Sequence, residues 1–177
     1  MATKADLLIT MNKEDYERAK KHLKAPKVEF IDGVGINADV IDKTSSDRDE
    51  MHKMLGIPND QLLMISVGEV NRNKNHKAAI EALSMCQTKN IHYIIAGVGN
   101  CVDEYMALAR LHNVADRVHF LGFRKDVYKI LKASDIFVFP SYREGLSVAL
   151  TEAMACGLPV IASRIRGNID LIDEELG

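Results

Sequence analysis

Two glutamates, Glu144 and Glu152, stand with seven residues between them around the start of a helix-like segment, and their spacing sets the first chemical question. The stretch Phe139-Pro140-Ser141-Tyr142-Arg143-Glu144-Gly145-Leu146-Ser147 reads as a buried strand ending in a loop, with Ser147 as the cap of the next helix. At ~1.5 Å of rise per residue, Glu152 falls roughly 7 Å beyond that cap. One carboxylate therefore belongs to the loop and the other to the side of the helix. The backbone amides of Gly145, Leu146 and Ser147 are left between them. Acceptors for hydroxyl groups flanking donors for phosphate oxygens suit a phosphorylated sugar-like ligand. A second loop, Ser66 to His76, adds Gly68, Arg72 and Lys74 just before another helix start. Cations there oppose the helix dipole, an arrangement that makes sense if an anion such as a diphosphate completes the site. The glycine pair Gly97-Val98-Gly99 follows a strand but lacks the third glycine of a dinucleotide fingerprint, so it reads as a tight turn.

The elements that must hold these residues follow from periodicity. Strands are expected at Leu62 to Val67, Ile91 to Ala96, Val118 to Leu121, Ile136 to Pro140 and Pro159 to Ala162. Helices fall between them at His76 to Cys86, Asp103 to His112 and Asp126 to Ala133. Several strands are continuous apolar runs, as expected when helices cover both faces of a parallel sheet. The alternation predicts an α/β, doubly wound (Rossmann-like) sheet with right-handed crossovers and its ligand at the carboxyl ends of the strands. Ahead of it, a strand from Asp6 to Thr10 is expected, then a helix capped by Asn12 with Asp15 as its partner. A second strand runs from Val28 to Ile31. Gly33 to Asn37 reads as a hinge, and Ser45 to Leu55 as a helix stopped by Gly56 and Pro58.

Bulk properties exclude several classes. The chain has 177 residues, 47% of them hydrophobic and 27% charged, with a net charge of -2. That is an ordinary globular composition, and without a basic excess no nucleic-acid partner is expected. The odd, widely spaced Cys86, Cys101 and Cys156 read as buried free thiols in a reducing cytosol. No signal peptide or ~20-residue apolar span is expected, while lysine-rich surface leaves room for peripheral contact with a membrane. Asp47-Arg48-Asp49 matches a short metal-binding pattern but reads as a solvated helix start, and no metal or other cofactor is expected.

The segment from Phe139 to Pro159 resembles the signature of the retaining glycosyltransferases called group 1 or family four, which have the two-lobed GT-B fold. Its Glu-x7-Glu precedes an Ala-Met-Ala-x-Gly-x-Pro stretch, as in the family. The segments from Phe120 to Asp126 and from Ser134 to Ser141 match adjoining family segments. Ala162 to Ile172 is similar to the subgroup that builds capsular and exopolysaccharides. The resemblance runs from about Asp6 to Gly177 and implies the C-terminal, donor-binding lobe. It implies that Glu144 faces the reacting sugar, Glu152 holds the ribose, Lys74 neutralises the diphosphate, and the loop at Gly122 and Phe123 forms the nucleobase pocket. Glu69 stands where the family has an arginine, with Arg72 reaching in from further along the loop.

Residues 1–35 are then expected to be a remnant of the acceptor lobe with the hinge, and 36–177 a donor domain that stops, at Leu176-Gly177, before its final elements. The implied reaction moves a hexose from a UDP- or GDP-sugar to a saccharide or lipid-linked acceptor, in the cytoplasm or at the inner face of the membrane. The isolated chain is expected to be inactive without its N-terminal lobe. A non-catalytic nucleotide-sugar-binding module and an epimerase of the same architecture are the competing readings.

Overall fold

The computed structural model describes residues 5–33 and 35–172. Val34, in the expected hinge, and the end at Leu176-Gly177 lie outside the described residues. Among the described residues, seven strands and seven α-helices follow one another along the chain, alternating except where α2 and α3 are consecutive. The first unit is β1 (Leu7–Thr10), α1 (Lys13–His22) and β2 (Lys27–Phe30), with β1 and β2 paired in parallel as a small sheet of their own. The Asn12 side chain accepts from the Asp15 amide at 2.8 Å and donates to the Asp15 carboxylate at 2.8 Å, so the expected capping pair forms through the two side chains.

The connection to the main body carries one element absent from the expectation, α2 (Ala38–Lys43). It forms because Asn37 accepts from the Val40 amide at 3.2 Å. Next, α3 (Arg48–Leu55) starts three residues later than expected, where Asp47 accepts from the Glu50 amide at 3.0 Å. The Asp-Arg-Asp pattern is thus used structurally. Asp47 caps, Arg48 lies 2.6 Å from Asp135, and Asp49 accepts from Asn59 at 2.8 Å.

The main body is a five-stranded parallel sheet in the order β5-β4-β3-β6-β7. Its strands are β3 (Leu62–Val67), β4 (Ile91–Ala96), β5 (Val118–Gly122), β6 (Ile136–Phe139) and β7 (Val160–Ala162). Between them run α4 (His76–Met85), α5 (Val102–Leu111), a 3-10 turn at Ala115–Arg117, α6 (Val127–Ala133) and α7 (Val148–Ala155). The sheet grows outward from β3 through β4 to β5, then the chain returns to the other side of β3 for β6 and β7. That reversal puts the topological switch point between β3 and β6, where such sheets open a crevice.

Each face of the sheet has its own core. On one face Leu63, Ile65, Ile94, Phe137 and Phe139 pack with Met51 of α3, Ile130 and Leu131 of α6, and Leu150 and Ala153 of α7. On the other, Tyr93, Ile95 and Val138 pack with Ala79, Ile80 and Leu83 of α4 and Tyr105 and Ala109 of α5. Strands that read as unbroken apolar runs therefore do alternate, with both faces buried. The three cysteines are free but not all buried as expected: Cys101 is buried, Cys156 is half-buried and Cys86 is exposed, the last two because they stand just past the ends of α7 and α4.

The second core contains a polar chain. The Ser66 hydroxyl donates to the Val138 carbonyl and lies 2.7 Å from the Tyr93 hydroxyl, which lies 2.9 Å from His76 Nδ1. Burial is the main cause that lowers the His76 pKa from 6.5 to about 4. A depressed pKa means the fold holds His76 neutral. That contribution is present above pH 6.5 and is lost as the pH falls toward 4. Urea unfolding is expected to show a drop on the order of 3 kcal/mol across that window from this residue. His76→Gln should remove that share of the drop; an unchanged slope in the variant would refute the assignment.

Candidate functional site

The loops leaving β3 and β6 meet at the switch point. The first, after Val67, is bonded to its neighbour on the β4 side: Gly68 N–H donates to the Ala96 carbonyl at 3.1 Å and Val70 N–H to Val98 at 2.9 Å. The Gly97-Val98-Gly99 turn is what allows this. A Cβ on Gly97 would sit 1.8 Å from the Gly68 carbonyl oxygen, and one on Gly99 2.2 Å from that of Val70. Asn71 then accepts from the Lys74 amide at 3.0 Å, which turns Lys74 back over the strand end.

On the other side of the switch point, three hydrogen bonds join the β6 loop to the β3 loop. Tyr142 N–H donates to the Asn73 carbonyl at 2.8 Å, Asn73 Nδ2 to the Arg143 carbonyl at 2.9 Å, and Asn75 Nδ2 to the Pro140 carbonyl at 3.1 Å. The result is a direct ion pair: Lys74 Nζ lies 2.8 Å from Glu144 Oε1, with side chains 20% and 12% exposed. The same ammonium sits 4.7 Å from the centre of the Phe139 ring, within cation–π range. Gly68 leaves space for this lysine, since a Cβ there would lie 3.3 Å from Lys74 Cε.

Beyond Glu144, Ser147 accepts from the Leu150 amide at 3.2 Å and starts α7, with Gly145 and Leu146 between. Glu152 follows on α7 and accepts a hydrogen bond from the Tyr128 hydroxyl of α6 at 2.8 Å. That bond is the main cause that pushes the Tyr128 pKa up to about 12. Gly122 closes β5, and Phe123, 72% exposed, leads into α6. The loop holding Gly122 and Phe123 thus feeds the helix whose tyrosine orients Glu152.

The structure brings Gly68, Lys74 and Glu144 into one cluster, with Gly145, Leu146 and Ser147 on the same loop. It places Arg72 elsewhere, 83% exposed and 3.5 Å from Glu104 of α5. Sequence reasoning missed Tyr128, Asn73 and Asn75. Their roles depend on which loops become neighbours, and no local pattern announces that. Ser141 was also missed: it is 1% exposed, and its hydroxyl has no hydrogen-bond partner among the described residues.

Residues 47–176 match the family of glycosyl transferases group 1, and the chain belongs to that family. The fold is that of the C-terminal lobe of a GT-B glycosyltransferase. The chain is 33% identical over 172 residues to EpsD of Bacillus subtilis (strain 168), a glycosyltransferase by name, with 94% of this chain and 45% of that protein covered. It is 31% identical over 175 residues to an Escherichia coli UDP-Gal:alpha-D-GlcNAc-diphosphoundecaprenol alpha-1,3-galactosyltransferase, covering 95% of this chain and 45% of that one. Among solved structures, Anabaena HepE in complex with UDP-glucose superposes with a TM-score of 0.87 at 24% identity, over 98% of this chain and 49% of that chain. The chain thus spans about half the length of the proteins it matches.

Proposed function

We propose that this chain supplies the donor site of a retaining glycosyltransferase that moves a hexose from a UDP- or GDP-sugar to a saccharide or lipid-linked acceptor in polysaccharide biosynthesis. The observation that carries the reading is the Lys74–Glu144 pair, built from two loops that meet at the sheet's switch point. Glu144 sits where an acceptor for sugar hydroxyls is needed and also holds Lys74. As the nucleotide diphosphate departs, negative charge builds on its β-phosphate. Lys74 and the amides leading into α7 stabilise that charge without a metal. Arg72 can join them by leaving Glu104, an exposed pair whose loss costs on the order of 0.2–1 kcal/mol. Glu152 takes the ribose, the Gly122–Phe123 loop the nucleobase, and the buried Ser141 hydroxyl offers one more partner to a bound group.

In this reading residues 1–35 belong to the acceptor lobe and 36–177 to the donor domain. In the same reading the N-terminal lobe of a full-length enzyme completes the acceptor side, and the relatives, about twice as long as this chain, leave room for one. The 177-residue chain alone then binds donor without transferring it. No described helix is long and apolar enough to cross a membrane. We place the enzyme in the cytoplasm, with peripheral contact at the inner membrane face when the acceptor is lipid-linked.

Calorimetry of the chain with UDP, GDP and their hexose conjugates tests the reading, because a ligand of the folded state binds and stabilises it by mass action. Binding of one base in preference to the other is expected; no binding of either overturns it. A variant probes the proposed ribose end. Tyr128→Phe frees Glu152 from its hydrogen bond and is expected to weaken nucleotide binding about three- to tenfold, the worth of one net hydrogen bond. Unchanged affinity would remove Tyr128 from the site.

A further inference from the structure

The small β1-α1-β2 unit touches the main body at the loops that surround Glu144. Asn12 Nδ2 donates to the Gly145 carbonyl at 3.0 Å, and Asn12 is only 2% exposed. Asp15, the partner of Asn12 at the start of α1, pairs with Arg166. The Lys13 amide, in the first turn of α1, donates to the Asp170 carboxylate at 2.8 Å, which also complements the helix dipole. Leu146 covers Gly33: a Cβ on that glycine would lie 2.6 Å from Leu146 Cδ2.

The two receiving loops are locked to each other. A Cβ on Gly167 would lie 2.3 Å from the Gly145 carbonyl oxygen and 3.3 Å from that of Glu144. The 163–172 loop is in turn tied to the end of β6, since Ser163 N–H donates to the Phe139 carbonyl at 3.0 Å and Asn168 Nδ2 to the Ser163 carbonyl at 3.0 Å. The Gly145 carbonyl is thereby held between a buried amide from the first unit and a glycine backbone from the main body. The other end of the same short loop is fixed by Asn73.

We infer that Asn12, Asp15 and Arg166 are positioning residues: the start of α1 clamps the Gly145 peptide and so sets the placement of Glu144. They do not touch the donor themselves. The clamp makes the seating of the first unit and the geometry of the Glu144 loop one event. If a donor sugar contacts Glu144, its binding and that seating reinforce each other reciprocally. This last step rests on the donor reading; the clamp itself does not.

Two variants separate the clamp from simple helix stability. Asn12→Ser keeps a good cap acceptor for α1 but removes the donor to Gly145. Arg166→Gln removes the ion pair with Asp15 and leaves α1 unaltered. Native-state hydrogen exchange is read at the Tyr142 amide, bonded to Asn73, and the Leu150 amide, bonded to Ser147, with Ile94 of the central sheet as the reference. Each variant is expected to speed exchange at Tyr142 and Leu150 at least fivefold while Ile94 stays within twofold. The inference is overturned if either variant leaves both loop amides within twofold of wild type. It is equally overturned if Ile94 accelerates in parallel with them, because the loosening would then be global. Calorimetry with UDP and UDP-glucose on the same proteins is expected to show a greater loss of affinity for UDP-glucose than for UDP. Should the wild type bind neither ligand while the exchange result holds, the donor reading fails and the clamp stands.

Discussion

Replacing Lys74 by Ala is expected to lower sugar transfer by the full-length enzyme about 10²- to 10³-fold, the usual consequence of removing one preorganised donor from developing charge. The size follows from where the ammonium sits. Lys74 is 20% exposed, held over the Phe139 ring and 2.8 Å from Glu144, so it is fixed before any ligand arrives and meets little water. A preset charge in such a place needs no reorganisation as the leaving group departs. The variant also leaves Glu144, 12% exposed, without its cation. Losing the partner of a charged hydrogen bond costs about 1–3 kcal/mol, so a lower unfolding midpoint should accompany the lost activity. Glu144→Gln keeps the volume and removes the charge, and transfer should fall by a similar factor. The combination of both substitutions should cost much less than the sum, since each single change already destroys the pair. Transfer rates near wild type for both single variants would end the assignment of this cluster as the reacting site.

Gly97→Ala should produce the largest loss of stability, about 3 kcal/mol or more, by forcing extra volume into a filled contact. The added methyl group would sit 1.8 Å from the Gly68 carbonyl oxygen, a distance that no side-chain rotation can relieve because the obstacle is backbone. The β3 loop would have to move away from the β4 turn and break the bonds from Gly68 to Ala96 and from Val70 to Val98. For a chain of this size the melting temperature should drop by roughly 10 °C. Gly68 and Lys74 move with that loop, so nucleotide affinity should fall as well. Gly145→Ala is the control. Space is open around Gly145, and its stability should change far less. Melting curves that rank the two the other way would contradict the packing described above.

Much of the fold was legible because its strands and helices carry local signals. Every strand of the five-stranded sheet lies within a residue or so of its expected bounds, since apolar runs bounded by turn residues mark buried strands in any context. The caps at Asn12 and Ser147 were equally readable, being contacts between residues three apart. The misses were of a different kind. Helix α2 is only six residues long, too short for a periodic pattern, and hangs on a single cap at Asn37. The role given to Gly97 and Gly99 as a tight turn omitted what they face, because a glycine's neighbours across a sheet edge are not written near it. Arg72 and Lys74 looked alike in one loop, yet the structure pairs Lys74 with Glu144 and Arg72 with Glu104.

By itself, then, the sequence determined the alternation of elements, the parallel sheet that alternation requires, and the two loops rich in Glu, Lys and Gly. These are properties of short stretches, set by side-chain periodicity and backbone freedom. Only the tertiary structure decided which loops touch: that β6 returns beside β3, that Asn73 and Asn75 stitch the two loops together, that Tyr128 orients Glu152, and that the start of α1 rests on Gly145. Those pairings join residues from 24 to 133 positions apart. Their partners are selected by the burial of both sheet faces at once, a condition no single segment contains.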